Sequence, residues 1–469
     1  MQSQPKRWES LSGVPVIAGL YWLLAESGGH WLIWALIPGA LLLSTGVTLL
    51  LMPGDERATG YMSLGGIIGV LLSLGAMISG HFGAALLCAF GSAASYLVAG
   101  RAGLTMAVRD ADAPTLELSL AIDAKAALDE ALLAYFVTSI KFPVGDEGER
   151  LCADALKLDA ALKERGWDRD PALFHRAPSA PGEAVSSKQR IYGFDYELLR
   201  WDSGFAPEDA LPGAALWKSY AENNRCAVRV LRHAGQKRPW LLCIHGYRMG
   251  APWMDFGLFA PRWLHERLGV NMVQPVLPLH GPRRIGLRSG DYFLDGDVLD
   301  LVYAEAQALW DLRRTLAWIR TQEESPRIGV YGVSLGGYNA SLLAAYEASL
   351  DFVVAGIPVI DFASALWRFI PSAHQNYFAR QGLNEERYRE ILHVISPLAR
   401  PPQLDKSRLL IFAGAADRVV PPRHPLELSR HWDVPVKWYN GSHLSISREP
   451  EVAETVREAM LRAGWPSLV

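Results

Sequence analysis

The chain has 469 residues, half of them apolar, with 46 basic against 49 acidic side chains and a net charge of -3. That length exceeds what one hydrophobic core usually fills, so more than one structural unit is expected. The near-neutral balance offers no basic surplus for a nucleic-acid partner, and no nucleic-acid-binding motif is present.

The apolar surplus lies in the first hundred residues. Residues 31–52 carry no charge and are rich in Leu and Ile, and residues 58–100 are again uncharged. A bilayer core takes about 20 apolar residues. The first stretch therefore reads as one span and the second as two, at about 61–79 and 82–100, broken near Gly80-His81. The run 11–25 is shorter and reads as a span, an interfacial helix or a signal-peptide core. Basic residues set the topology. Lys6 and Arg7 precede the first run, Arg57 lies between the second and third, and Arg101 and Arg109 follow the fourth, while the other loops carry none. Both ends of the segment, and the chain beyond it, are thus expected in the cytoplasm. The alternative is a buried apolar subdomain of a soluble protein. The third run holds a G-x-x-x-G pair, Gly65 and Gly69, which suits internal packing as well as dimers.

Residues 1–109 are accordingly read as a transmembrane region and 110–189 as a helical connector. In the connector, 118–141 and 147–166 have helical patterns and 171–181 is a proline-containing linker, with no chemistry visible in any of them. From about 190 the pattern changes. Strand-like runs at 191–200, 225–232, 239–243, 271–277, 327–333, 352–359, 408–413 and 435–439 alternate with helical runs such as 298–322, 335–347 and 450–462. Strands spaced by helices force a mostly parallel sheet flanked by helices. Cys88, Cys152, Cys226 and Cys243 show no metal-ligand or C-x-x-C spacing and read as thiols packed as small apolar groups.

Three local patterns carry chemistry. Gly332-Val333-Ser334-Leu335-Gly336 is a G-x-S-x-G between a β-rich run and an Ala- and Leu-rich helical run. A serine at such a strand-to-helix turn is pushed out over the sheet edge, with a helix N-terminus behind it to favour an oxyanion. A hydroxyl needs a base to become a nucleophile, and histidine suits that role near neutrality. The run 408–413 leads to Asp417 in Gly414-Ala415-Ala416-Asp417-Arg418-Val419-Val420-Pro421, and the run 435–439 leads to His443 in Asn440-Gly441-Ser442-His443.

Taken together, these segments resemble the α/β-hydrolase superfamily over about residues 190–465, within a catalytic domain read as 190–469. The resemblance implies an α/β-hydrolase fold, with Ser334 as nucleophile, His443 as base and Asp417 as the acid orienting it. Asp361, after the run 352–359, is the competing acid. The resemblance also implies an oxyanion hole from the backbone N–H of Leu335 and of Tyr247 in His245-Gly246-Tyr247, with Arg248 next in line. His245 then has a structural role, and His280, His374 and His424 do not follow the last strand. Arg283 and Arg284 are candidate contacts for an anionic substrate group, against internal salt bridging or solvated surface. An insertion at about 360–403, with Trp367, Phe369, Phe378 and Tyr388, lies where the family places a cap. The expected reaction is hydrolysis of an ester or thioester, of a lipid or other acyl substrate, through an acyl-enzyme and without metal or organic cofactor. Acyl transfer, peptide hydrolysis and a non-catalytic membrane scaffold are the alternatives.

Overall fold

The computed structural model describes residues 11–26, 29–108, 110–138, 140–235, 237–294 and 297–465. The chain divides into two compact units. The first comprises Met1–Ser139 together with Gly414–Arg423 and Trp438–Glu449, and the second takes the rest.

The first unit begins with α1 (Gly13–Leu24), α2 (Gly29–Leu51), α3 (Glu56–Ile78) and α4 (Phe82–Met106). The last three are long and apolar enough to cross a bilayer, whereas α1 has 12 residues and is too short to do so as a straight helix. Lys6, Arg7 and Arg109, which enter the charge argument for topology, lie outside the described residues. Small residues let these helices approach. A side chain on Gly65 would press on Leu41 and Leu42, and one on Gly69 would overlap Ser92, so both glycines of the G-x-x-x-G pair pack inside the bundle. Trp22 bridges the same contact, its indole donating to Ser92 Oγ at 2.9 Å.

Helices α3 and α4 both run past the uncharged stretch. Their polar ends receive α5 (Leu120–Val137). Arg101 of α4 pairs with Asp123 of α5 at 2.7 Å, and Thr59 of α3 donates to Glu130 at 2.7 Å. Backbone contact is close here, since a Cβ on Gly100 would collide with the Asp123 carbonyl. The Ser119 side chain caps α5.

The second unit is built on a sheet of order β1-β2-β3-β5-β4-β6-β7-β8-β9. The strands are β1 (Val185–Ile191), β2 (Phe194–Asp202), β3 (Arg225–Leu231), β4 (Trp240–Ile244), β5 (Asn271–Pro275), β6 (Ile328–Val333), β7 (Phe352–Gly356), β8 (Leu409–Gly414) and β9 (Val436–Tyr439). β1 to β3 pair antiparallel, as do β3 and β5, and the pairs β5–β4–β6–β7–β8 are parallel. Strands β4 to β8 are buried along their whole length, as parallel strands covered on both faces must be. β1 was not expected from the sequence. Its exposed polar residues lack an apolar face, and Tyr192 and Gly193, both at positive φ, form the two-residue turn into β2.

The helices of this unit are α6 (Gly145–Glu164), α7 (Ala214–Ser219), α8 (Pro252–Phe259), α9 (Val298–Gln322), α10 (Leu335–Ala344), α11 (Phe362–Trp367), α12 (Ser372–Arg380), α13 (Glu385–Leu392), α14 (Arg423–Trp432) and α15 (Pro450–Arg462). α11 to α13 form the insertion between β7 and β8. Trp367, Phe369, Phe378 and Tyr388 are buried there, with Trp367 and Tyr388 ring centroids 5.1 Å apart. Beside them an apolar hollow is lined by Phe142, Leu294, Leu366, Trp367, Ile370 and Tyr388, among others. The four cysteines are free and buried.

Candidate active site

The serine side of the site lies in the second unit. β6 ends at Val333 and α10 begins at Leu335, so Ser334 alone makes the turn. Its backbone sits at φ 59° and ψ -115°, a conformation L-residues rarely adopt and one that needs support from its surroundings. Support comes from the flanking glycines. A side chain on Gly332 would overlap the Gly336 carbonyl, and one on Gly336 would overlap the Ile244 carbonyl at the end of β4. Ser334 N–H donates to Gly356 O of β7 at 2.9 Å, and Tyr338 N–H returns to Ser334 O at 3.0 Å. The turn is thus clamped between β4 and β7.

The loop after β4 lies against this turn. A Cβ placed on Gly246 would stand 3.6 Å from the Ser334 Cβ, which puts the His245-Gly246-Tyr247 segment beside the serine. Buried charge holds the loop. Arg229 pairs with Asp255 at 2.6 Å and also donates to Gly250 O, while Asp255 accepts the Gly250 N–H at 3.0 Å. Arg248, at φ 62°, pairs with Asp291 at 2.8 Å and stacks over the Tyr247 ring. The His245 Nε2 accepts the Leu277 N–H at 3.0 Å and its Nδ1 faces Gly246 O at 2.8 Å, which fixes a neutral tautomer; burial lowers its pKa in the same sense. His245 is therefore a brace of this loop. His280 is likewise buried, with Nδ1 on Pro278 O at 2.8 Å and a pKa pushed well down by burial and by His245. His424 accepts the Ile360 and Asp361 N–H groups, and His374 packs on Phe142.

The Asp417–His443 pair lies in the first unit. His443 Nδ1 is 2.8 Å from Asp417 Oδ2, and both groups are buried. Asp417 also accepts the Val420 N–H at 2.7 Å, which closes its own loop. Burial alone would lower the His443 pKa. The Asp417 charge and hydrogen bond, and the Asp129 charge, outweigh it and hold the imidazole above its ordinary value. Asp361 caps α11 through the Ser364 N–H and pairs with Arg389 at 3.0 Å, and that charge keeps its pKa low despite burial. The acid paired with His443 is Asp417, and Asp361 is occupied elsewhere.

One sequence expectation changes. Arg283 is fully buried and engaged with Asp311 at 2.8 Å, Asn223 O at 2.7 and 3.0 Å, and Val276 O at 2.9 Å. It is an internal tie, the alternative weighed in the sequence. Arg284 is exposed and donates to Gly281 O at 3.1 Å. The sequence also missed Asp129, which lies in the connector and accepts hydrogen bonds from both the acid and the histidine loops.

Comparison with known proteins finds a family model, relatives and structural neighbours. A model of the prolyl oligopeptidase family, peptidase S9, matches residues 315–445, a stretch that includes Ser334, Asp417 and His443. An uncharacterized protein of Mycobacterium tuberculosis, found in two strains, is 37% identical over 355 residues, covering 75% of this chain and 84% of its own length. Among solved structures, an acetyl xylan esterase from Paenibacillus sp. R4 is similar with 16% identity and a TM-score of 0.43, over 71% of this chain and 99% of its own. Acetyl xylan esterase 1 from Thermoanaerobacterium sp. JW/SL YS485 is similar with 15% identity and a TM-score of 0.39, over 66% and 93%. The chain belongs to one family with the mycobacterial protein, and its fold is that of the α/β-hydrolases.

Proposed function

We propose that the protein is a membrane-anchored serine hydrolase that cleaves a carboxylic ester or thioester, with Ser334 as nucleophile, His443 as general base and Asp417 orienting the imidazole. The observation that carries this reading is the strained, glycine-clamped turn at Ser334, a backbone conformation that costs free energy. The hydrogen-bonded Asp417–His443 pair supports it. In the reaction His443 Nε2 takes the Ser334 proton as Oγ attacks the carbonyl carbon. The oxyanion is held by backbone N–H groups of Leu335 and Tyr247. The imidazolium then protonates the leaving group, and water, deprotonated by the same histidine, releases the acid. α2 to α4 keep the enzyme at a bilayer, and the apolar hollow beside α11–α13 offers an acyl chain a matching surface.

Peptide hydrolysis is the second reading, favoured by the match to the prolyl oligopeptidase family. Detergent-solubilised protein should label with a fluorophosphonate, and Ser334→Ala should not. Turnover of p-nitrophenyl esters against peptidyl p-nitroanilides separates the two readings. Ser334→Ala should lose activity by on the order of 10⁴-fold or more. Labelling that persists in the variant assigns the wrong serine.

A further inference from the structure

A carboxylate outside the hydrolase fold holds the histidine loop. α5 presents Asp129, fully buried, to the two loops of the acid–base pair within the first unit. Its Oδ2 accepts the His443 N–H at 2.8 Å and the Arg418 N–H at 3.1 Å. Its Oδ1 accepts the Ser442 hydroxyl at 3.0 Å and the Leu444 N–H at 3.1 Å. His443 and Leu444 open a short 3-10 turn whose first N–H groups have no partner within the turn, and Asp129 supplies it. One turn earlier on the same helix, Lys125 pairs with Glu449 at 2.6 Å and reaches Asn440 O at 3.4 Å, so α5 grips the loop at both ends. The next residue, Glu130, binds the Arg418 guanidinium at 2.6 Å and accepts from Thr59 of α3, and Arg418 also faces Glu56 of α3 at 3.4 Å.

We infer that Asp129 is a positioning residue of the hydrolase: it fixes the His443 backbone and the Asp417 loop at once, so that α5 and the apolar helices carrying it are part of the catalytic apparatus. The inference rests on the assignment of Ser334, His443 and Asp417 given above. Four donors meet one carboxylate with two bonds to each oxygen, an arrangement that only the ionised form completes. Burial and the Asp417 charge raise the Asp129 pKa to about 7, against the pull of His443 and the backbone donors. The charged groups around the imidazole are few. Asp417 stands on its own loop side and Asp129 on α5. Arg418 is neutralised by Glu130 and Glu56, and Lys125 by Glu449. Loss of the Asp129 charge therefore acts on the His443 pKa in one direction, downward.

The test uses the full chain in detergent, with Asp129→Asn, Ser442→Ala, Ser334→Ala and His443→Ala beside wild type. Two readouts are taken. One is kcat and KM for a p-nitrophenyl ester across pH. The other is the pH dependence of His443 acylation by diethyl pyrocarbonate, followed by mass spectrometry of its peptide, which needs no turnover. Asp129→Asn should lower kcat by on the order of 10²-fold with little change in KM, as misplacement of a catalytic group does. It should also move the acid limb of the rate profile and the His443 acylation profile to lower pH. Ser442→Ala, which removes one of the four donors, should lower kcat in the same sense by less. Unchanged kcat and acylation profile in Asp129→Asn overturn the inference, as does a fall in activity matched by thermal unfolding with the profile unmoved. If Asp129→Asn does not fold, a folded Ser442→Ala with wild-type kcat overturns it. Failure of the hydrolase assignment looks different: Ser334→Ala or His443→Ala would turn over ester like wild type, while the acylation profile still reports on Asp129.

Discussion

Arg283 separates a substrate contact from a structural tie. The sequence offers it as an anion binder, and the structure ties it to Asp311, Asn223 and Val276. Replacing it with Met keeps most of the apolar stem and removes four hydrogen bonds. Asp311 then retains Ser203 Oγ at 2.6 Å as a partner for a carboxylate that has lost its counter-ion in a buried site. Breaking a buried pair from one side costs about 3–5 kcal/mol, mostly because the remaining charge is uncompensated. In a unit of this size that corresponds to a fall in apparent Tm of about 5–8 °C. Arg283→Met/Asp311→Leu removes both charges and should recover most of the loss, since replacing both members of such a pair with apolar groups is often neutral. Thermal unfolding in detergent gives the stability, and KM for neutral and anionic esters gives the binding. A ten-fold rise in KM confined to anionic esters, with Tm unmoved in the single variant, would refute the structural assignment.

The remaining expectations follow from the same geometry. His443 must be neutral to accept a proton, and Asp417 and Asp129 hold its pKa above the ordinary value, so kcat/KM should fall as pH drops through that raised pKa. The stability contribution of this group has the opposite sign: it is fully present below the ordinary histidine pKa and is lost as pH rises through the folded one, which a Tm series across pH in wild type and His443→Gln would show. Gly336→Ala should abolish fluorophosphonate labelling and yield little folded protein, because the added methyl meets the Ile244 carbonyl; full labelling would mean that the turn relaxes. Asp361→Asn should keep kcat within a few-fold of wild type and lower stability by at most about 1 kcal/mol, since Asn still caps the helix and only the half-exposed Arg389 ion pair is lost, whereas Asp417→Asn should be inactive with near-wild-type binding. Comparable losses from both would put the acid assignment in doubt.

The elements that sequence patterns located are those whose cause is local. β6, Ser334 and α10 are legible because G-x-S-x-G is a steric requirement: two carbonyls occupy the space where Gly332 and Gly336 side chains would be. α9 and α15 are legible from their apolar periodicity, and α2 to α4 from uninterrupted apolar length. β1 was not, because an exposed edge strand buries no face and leaves no alternation to read. Arg283 stayed open between two readings for a related reason. A basic residue after a strand looks the same in sequence whether it faces solvent or a buried Asp311 that lies 28 positions away in α9.

Asp129 was missed although a physical signal was present. α5 is Ala- and Leu-rich, and its acids at 123, 129 and 130 are buried together with Ile122, Ala126, Ala127 and Leu133. An acidic residue on the packed side of an apolar helix is costly unless donors meet it. Three such residues in one helix therefore announce three external partners. The partners are Arg101, the Arg418 side chain, and the backbone N–H groups of Arg418, His443 and Leu444. Spacing motifs cannot reveal them, because the donors from Arg418, His443 and Leu444 lie about 290–315 residues further along the chain and most are backbone. The connector reads as inert when searched for nucleophiles and ligands. It reads differently when each buried charge is asked for its partner, and that question leads from α5 to the histidine loop.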